Sequence, residues 1–168
     1  MPATAADAGT AYAELISEQL TEERSRKSSL EQRGGLVITT SGTLVSLLFG
    51  LAAVVTSRKG FSVPFSARVL LLLAVVAFIA AALGGLAANL PLREYLEPEP
   101  ESLRELTELD SWEAEVSIGA RAIALARVDV LAAAREANDL KAVAVILAFA
   151  AEVVAIGLVA AAVGIVLA

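Results

Sequence analysis

Three stretches of this chain carry long runs of apolar residues, and polar residues fill the segments between them. The first, residues 36–57, opens with LVITTSGTLVSLLFGLAAVV, twenty positions without a charge. The second, residues 65–90, ends just before Pro91, and the third occupies residues 142–168. A hydrocarbon core of roughly 30 Å needs about 20 helical residues, so each block is long enough to cross. The last two have length to spare for tilt. Open sheets would leave backbone edges unsatisfied in lipid, whereas helices satisfy theirs internally. The pattern predicts an all-α integral membrane protein with three transmembrane helices.

The polar segments predict two further, membrane-proximal cytoplasmic helices. Within residues 1–35, ELISEQLTEERSRKSSLEQR sets Glu22 against Arg26 and Glu23 against Lys27 at i,i+4, in the favourable order. Tyr12, Leu15, Ile16 and Leu20 give this helix a short apolar stripe. Gly34 and Gly35 then separate it from the first span, either loosening the junction or admitting close packing. Residues 36–90 form a transmembrane hairpin with arms 36–57 and 65–90. Residues 91–141 form a linker and a long helix. Pro98 and Pro100 stop the second span from continuing. Ser102 and Glu105 have capping-box spacing, and an Ala-rich helix is expected over 111–138. On it Ile118, Ala122, Leu125, Val128 and Ala132 share one side able to pack on a partner. No proline intervenes before the third span at 142–168, so this helix can run from water into the membrane, with Asn138 and Asp139 where it enters.

Composition agrees with this reading and narrows the chemistry. The chain has 168 residues, 57% of them hydrophobic, more than a soluble domain carries. It has no Cys and no His, which removes disulfides, thiol chemistry, Cys/His zinc sites and His-based triads. No phosphate-cradling glycine loop or paired carboxylates facing a soluble pocket occur, so the expectation is a protein without catalytic residues, cofactor or metal site. The acidic run EPEPESLRELTELD fixes no coordination geometry. A net charge of −6 speaks against a nucleic-acid partner.

The first 35 residues are polar and the first apolar block is too long for a cleaved leader, so that block is expected to remain as an anchor. Arg24, Arg26, Lys27 and Arg33 precede the first span, and Arg93, Arg104, Arg121, Arg127, Arg135 and Lys141 lie between the second and third. Only Arg58, Lys59 and Arg68 fall in the short first loop, where they would anchor at the interface. The asymmetry places the N-terminus in the cytoplasm and the C-terminus outside.

Four polar positions inside the apolar blocks are candidates for function. Thr39, Thr43 and Ser46, with Gly50, are spaced four, three and four apart and share one helical face. Such a stripe can line a water-filled path; equally, its hydroxyls can bond back to helix carbonyls or to a neighbouring helix. Glu152 stands alone in the third span. A carboxylate there costs a few kcal/mol on insertion scales unless it meets water, a partner or a proton, which makes it a functional candidate. Protonation in a packed interior, hydrogen bonds to the Ser/Thr stripe and a ring of carboxylates around a cation path all remain open. Ala80, Gly84 and Ala88 in the second span, and Gly157, Ala161 and Gly164 in the third, offer small-residue faces for helix packing. Asn89 is expected to cap the second span near the headgroups.

A charged ERSRK helix, TSGTL at the head of a first span, a tight hairpin and AREANDLKA on a helix entering the membrane together resemble small bacterial membrane proteins of the SLATT type. The likeness covers roughly residues 12–140. It implies a bacterial inner-membrane protein of a nucleotide-signalled defence system, similar in idea to the membrane effectors of cyclic-pyrimidine (Pycsar) systems, which are thought to form pores. This chain departs from that pattern by a third span and by carrying no cyclic-nucleotide-binding domain. A signal would then arrive through a cytoplasmic partner protein, a ligand at the cytoplasmic helices, or the membrane itself. The expectation is a homo-oligomer in the lipid bilayer that forms or gates a pore. The alternative is a non-conducting scaffold or accessory subunit that presents its cytoplasmic helices to a partner.

Overall fold

The computed structural model describes residues 8–57, 62–90 and 116–167. Three helices account for nearly all of them: α1, Ala8–Thr56; α2, Phe65–Asn89; and α3, Val116–Leu167. Among the described residues there is no strand. Each helix is long and apolar enough to span a membrane.

Neither cytoplasmic helix is a separate element; for α3 this is the continuity that the absence of a proline before the third span allows, whereas α1 runs on past its glycines. Their sequences are the N-terminal halves of α1 and α3, helices of 49 and 52 residues, more than twice what a bilayer requires. Gly34 and Gly35 each cost a helix about 1 kcal/mol in propensity, yet α1 runs through both. α2 has sharper ends. Pro64 stands before it in an extended conformation, and its carbonyl accepts the Arg68 backbone N–H at 3.1 Å. The Arg68 guanidinium donates to the Val63 carbonyl at 2.9 Å. At the other end Leu90 precedes Pro91 and adopts φ −71°, ψ 144°, the extended geometry that a following proline imposes. Asn89 caps this terminus by donating to the Gly85 carbonyl at 2.9 Å. Arg58, Lys59, Pro98, Pro100, Ser102 and Glu105 lie outside the described residues.

The chain divides into two compact units. In the first, residues 8–28 of α1 pair with 116–139 of α3. Gln19 meets Arg135, Glu23 meets Asn138 and Arg26 meets Asp139, so the two helices run parallel. In the second, residues 29–57, α2 and residues 140–167 form a three-helix bundle. Leu30, Ala88 and Val145 make one apolar layer and Val37, Ala81 and Ala148 the next. α1 and α3 are therefore parallel here too, with α2 antiparallel to both.

Burial follows an alternation of three and four residues. In α3 the buried positions are Leu131, Ala134, Asn138, Lys141, Val145, Ala148, Glu152, Ala155 and Ala162, with half-buried Val159 in phase. α2 buries Ala74, Phe78, Ala81, Gly85 and Ala88 on the same rule. In α1, Leu30, Gly34, Val37 and Ser41 do likewise, and Leu44 and Leu48 continue the spacing half-buried. A repeat of 3.5 residues marks left-handed supercoiling with a narrow seam. Ile118, Ala122, Leu125, Val128 and Ala132, expected to form a packing side, are all exposed, because the seam runs along a different face of α3.

Glycine sets the closest approach in the bundle. A Cβ built on Gly34 would sit 2.7 Å from the Gly85 carbonyl oxygen, and one on Gly85 would sit 2.6 Å from the Gly34 oxygen. Of the two roles open to Gly34, close packing is the one it fills. Gly85→Ala should destabilise the bundle by about 1–3 kcal/mol, since backbone on the far side cannot yield. Gly42→Ala points into open space and should be neutral or gain up to about 1 kcal/mol of helix propensity. Unfolding titrations of the purified protein in mixed detergent micelles compare the two directly.

Candidate functional site

Besides Lys141, which is buried beside Glu31, the three-helix unit keeps a polar layer inside an apolar interior. It sits one turn beyond the Val37–Ala81–Ala148 layer, where the next seam positions are Ser41, Phe78 and Glu152. Glu152 is 9% exposed. Its Oε1 lies 2.5 Å from the hydroxyl of Thr40, which flanks Ser41 on α1. The same hydroxyl is 2.9 Å from the Leu36 carbonyl and 3.2 Å from that of Val37. Ser41 differs from its neighbours. It is 1% exposed, and its Oγ has no hydrogen-bond partner among the described residues. An unmet buried hydroxyl costs about 1–3 kcal/mol, so Ser41 weakens this layer.

Thr39, Thr43 and Ser46 are elsewhere. At 100° per residue their stripe lies about half a turn from the Val37–Ser41–Leu44 seam, and all three are exposed on the outer side of α1. Each donates to its own helix: Thr39 to the Gly35 carbonyl at 3.0 Å, Thr43 to Thr39 at 2.8 Å and Ser46 to Gly42 at 2.8 Å. The structure therefore brings Glu152 together with Thr40, not with these three. Of the small residues, Gly84 packs on Ala144 and Ala148 of α3, and Ala88 lies in the Leu30–Val145 layer. Ala80, Gly157, Ala161 and Gly164 are exposed.

Beyond the polar layer an apolar cavity of about 190 Å³ is lined by Leu44, Leu47, Leu48, Leu51, Phe78, Ile156 and Val159. On the near side, Lys141, its side chain 5% exposed, is paired with Glu31 at 2.5 Å.

The unit formed by residues 8–28 and 116–139 has its own buried polar position. Asn138 donates through Nδ2 to both the backbone carbonyl and the carboxylate of Glu23, each at 2.9 Å. Its Oδ1 is buried without a hydrogen-bond partner among the described residues. A seam asparagine of this kind fixes register at some cost in stability. Around it, Arg26 donates to Asp139 at 2.8 Å and lies 3.6 Å from Glu23. Arg135 donates to Gln19 at 2.8 Å. The hydrogen bond to Asp139, more than the charge of Glu23, raises the pKa of Arg26, so the guanidinium stays charged at any working pH. These pairs are largely exposed, and each contributes less than about 1 kcal/mol.

Sequence reasoning missed Thr40, Ser41, Asn138, Lys141 and the Gly34–Gly85 contact as site or packing positions. A seven-residue count would have found most of them. Leu131, Asn138, Val145, Glu152 and Val159 form one column of α3, and Ala134, Lys141, Ala148, Ala155 and Ala162 form the other. No protein-family model, curated protein or solved structure matches this chain.

Removing Glu31 tests the buried pair. Glu31→Ala leaves the Lys141 ammonium without that carboxylate and should cost about 3 kcal/mol. Combining Glu31→Gln with Lys141→Met, which removes both charges, should recover most of that loss in the same detergent-unfolding assay.

Proposed function

We propose that the chain is the subunit of a homo-oligomeric membrane protein that forms or gates a pore, with the Thr39–Thr43–Ser46 face of α1 toward the conducting path. One observation carries this reading: the outer side of α1 includes a stripe of hydroxyls and glycines, Thr39, Gly42, Thr43, Ser46 and Gly50, flanked by exposed Leu47 and Phe49, whereas α2 and α3 expose aliphatic side chains such as Leu72, Val76, Leu83, Leu147 and Val153. Lipid tails are well matched by aliphatic side chains and gain nothing from hydroxyls, so the α1 face is better suited to water or a second protein surface. The interior of one bundle is an unsuitable path. Val37 and Ala81 are 0% exposed and Ala148 1%, which leaves no room for a hydrated ion. A path would have to lie between copies. In this reading Glu152 acts inside the subunit and does not line the path.

The defence-type effector role implied by the SLATT-like layout is part of the same proposal. The N-terminal halves of α1 and α3 would face the cytoplasm of a bacterial cell and meet a signal ligand or partner protein there, with the C-terminus outside the inner membrane. A specific observation favours the second reading, a non-conducting scaffold: all three stripe hydroxyls already donate to their own helix, a state that a dry helix–helix contact tolerates.

The chain has no Cys, so Thr43→Cys and Ser46→Cys each introduce a single thiol. Ion flux through liposomes holding the purified protein, recorded with its oligomeric mass, is expected to be present in the oligomer. A water-soluble thiol reagent should then block the flux of both variants. Oligomers that pass no ions across a voltage series, with both thiols unreactive, would instead identify the scaffold.

A further inference from the structure

The stretch of α3 that pairs with residues 8–28 carries apolar side chains that the helix seam does not use. Leu125, Val128 and Ala132 are exposed there, as are Tyr12 and Leu15 of α1. We propose that these residues form a surface on which a second copy of the chain packs, so that two such helix pairs make a four-helix bundle. This surface rests on the homo-oligomer proposed above and holds whether or not that oligomer conducts.

The cross-helix hydrogen bonds put these residues on one side of the pair. Gln19, one residue before Leu20 of the α1 seam, accepts from Arg135, one residue after Ala134 of the α3 seam. Arg26 and Asp139 repeat the pairing further along. Tyr12 lies seven residues before Gln19, and Leu15 four before it; Val128 lies seven before Arg135. Such steps return to the same flank of a coiled pair, and the equal step on both helices keeps Tyr12 level with Val128. Ala132 follows on that flank, with Leu125 at its edge.

The pair is not closed by itself at this end. None of residues 9–19 or 116–130 is buried, and Tyr12, Leu15, Leu125 and Val128 are between 43% and 66% exposed. All of them lie outside the three apolar blocks, so in the reading above they meet water and not lipid tails. An apolar patch rimmed by polar residues marks an interaction surface.

Charge and direction make a second copy the occupant. Arg26 is met by Asp139 and Glu23, Arg135 by Gln19 and Glu23, and Gln19 donates on to Glu22 at 3.3 Å. With Arg121, seven residues before Val128, this side holds three guanidinium groups and the three carboxylates of Glu22, Glu23 and Asp139. A surface balanced in this way meets its own copy without net repulsion and has no field to steer a strongly charged partner. Copies inserted in one membrane also share one orientation. A two-fold axis along the parallel helices then sets Tyr12, Leu15 and Val128 against the same residues of the second copy. Anchoring in one plane raises the effective concentration for that contact.

The chain has no Cys, so single-thiol variants of the full protein in liposomes test the surface by cross-linking. Leu15 lies on it, whereas Thr21, also exposed, lies on the other flank of the α1 seam. A short bis-maleimide should join Leu15→Cys into dimers and leave Thr21→Cys largely unjoined. Adding Val128→Lys to Leu15→Cys should weaken dimerisation roughly tenfold or more, read as the protein-to-lipid ratio needed for equal yield, because a buried valine becomes a buried charge. Val128 is exposed in the single subunit, so the unfolding temperature in detergent should not move. If the protein is oligomeric by mass but Leu15→Cys cross-links no better than Thr21→Cys, this surface is overturned and the homo-oligomer stands. A yield that Val128→Lys leaves unchanged also overturns it. A monomeric mass overturns both.

Discussion

Each helix of this protein buries a seam only a few side chains wide, and the 3.5-residue rhythm of that seam governs what can sit inside. Helices packed on such a rhythm meet along their length, provided the facing residues leave room. Here the facing residues are mostly alanine and glycine, with larger side chains such as Phe78, Leu30 and Val145 at intervals. The mutual approach of Gly34 and Gly85 is the tightest consequence, since each glycine lies against the carbonyl of the other. In lipid, where burying apolar area between helices brings little, such close backbone packing is a main source of cohesion.

A narrow seam also decides the fate of polar groups. Asn138, Lys141 and Glu152 fall on the buried side of α3, and each finds a partner on α1: Glu23, Glu31 and Thr40. These contacts specify a parallel pairing of α1 with α3 that alanine alone would leave loose. They also grade in character. Asn138 and Lys141 meet carboxylates, while Glu152, deep in an apolar block, meets only a hydroxyl.

The inside and the outside of the bundle differ in what they expose. Inside, the layers are closed by Val37, Ala81 and Ala148, so transport through a single subunit has no route. Outside, α1 carries a stripe of hydroxyls and glycines between exposed leucines and Phe49, while α2 and α3 present leucine, valine and isoleucine. The proposed pore rests on the outer surface alone.

Long apolar blocks, two of them free of charge over more than twenty residues and the third carrying only Glu152, determined three membrane-competent helices directly from sequence, because a helix satisfies its backbone within a single segment. The bounds of α2 were legible too: Pro64 and Pro91 act on local backbone geometry, which needs no tertiary context. The continuity of α3 was legible in the absence of a proline before the third span, whereas that of α1 was not. Gly34 and Gly35 look like a break in isolation, and only the packing of Gly34 on Gly85 supplies the reason for helix to continue through them. Likewise the spacing of Thr39, Thr43 and Ser46 established a shared face, but not whether that face pointed in or out. The tertiary structure decided it, because α2 and α3 both dock on the opposite side of α1. For the same reason Glu152 met Thr40, one residue and about 100° away from the stripe that local spacing had singled out.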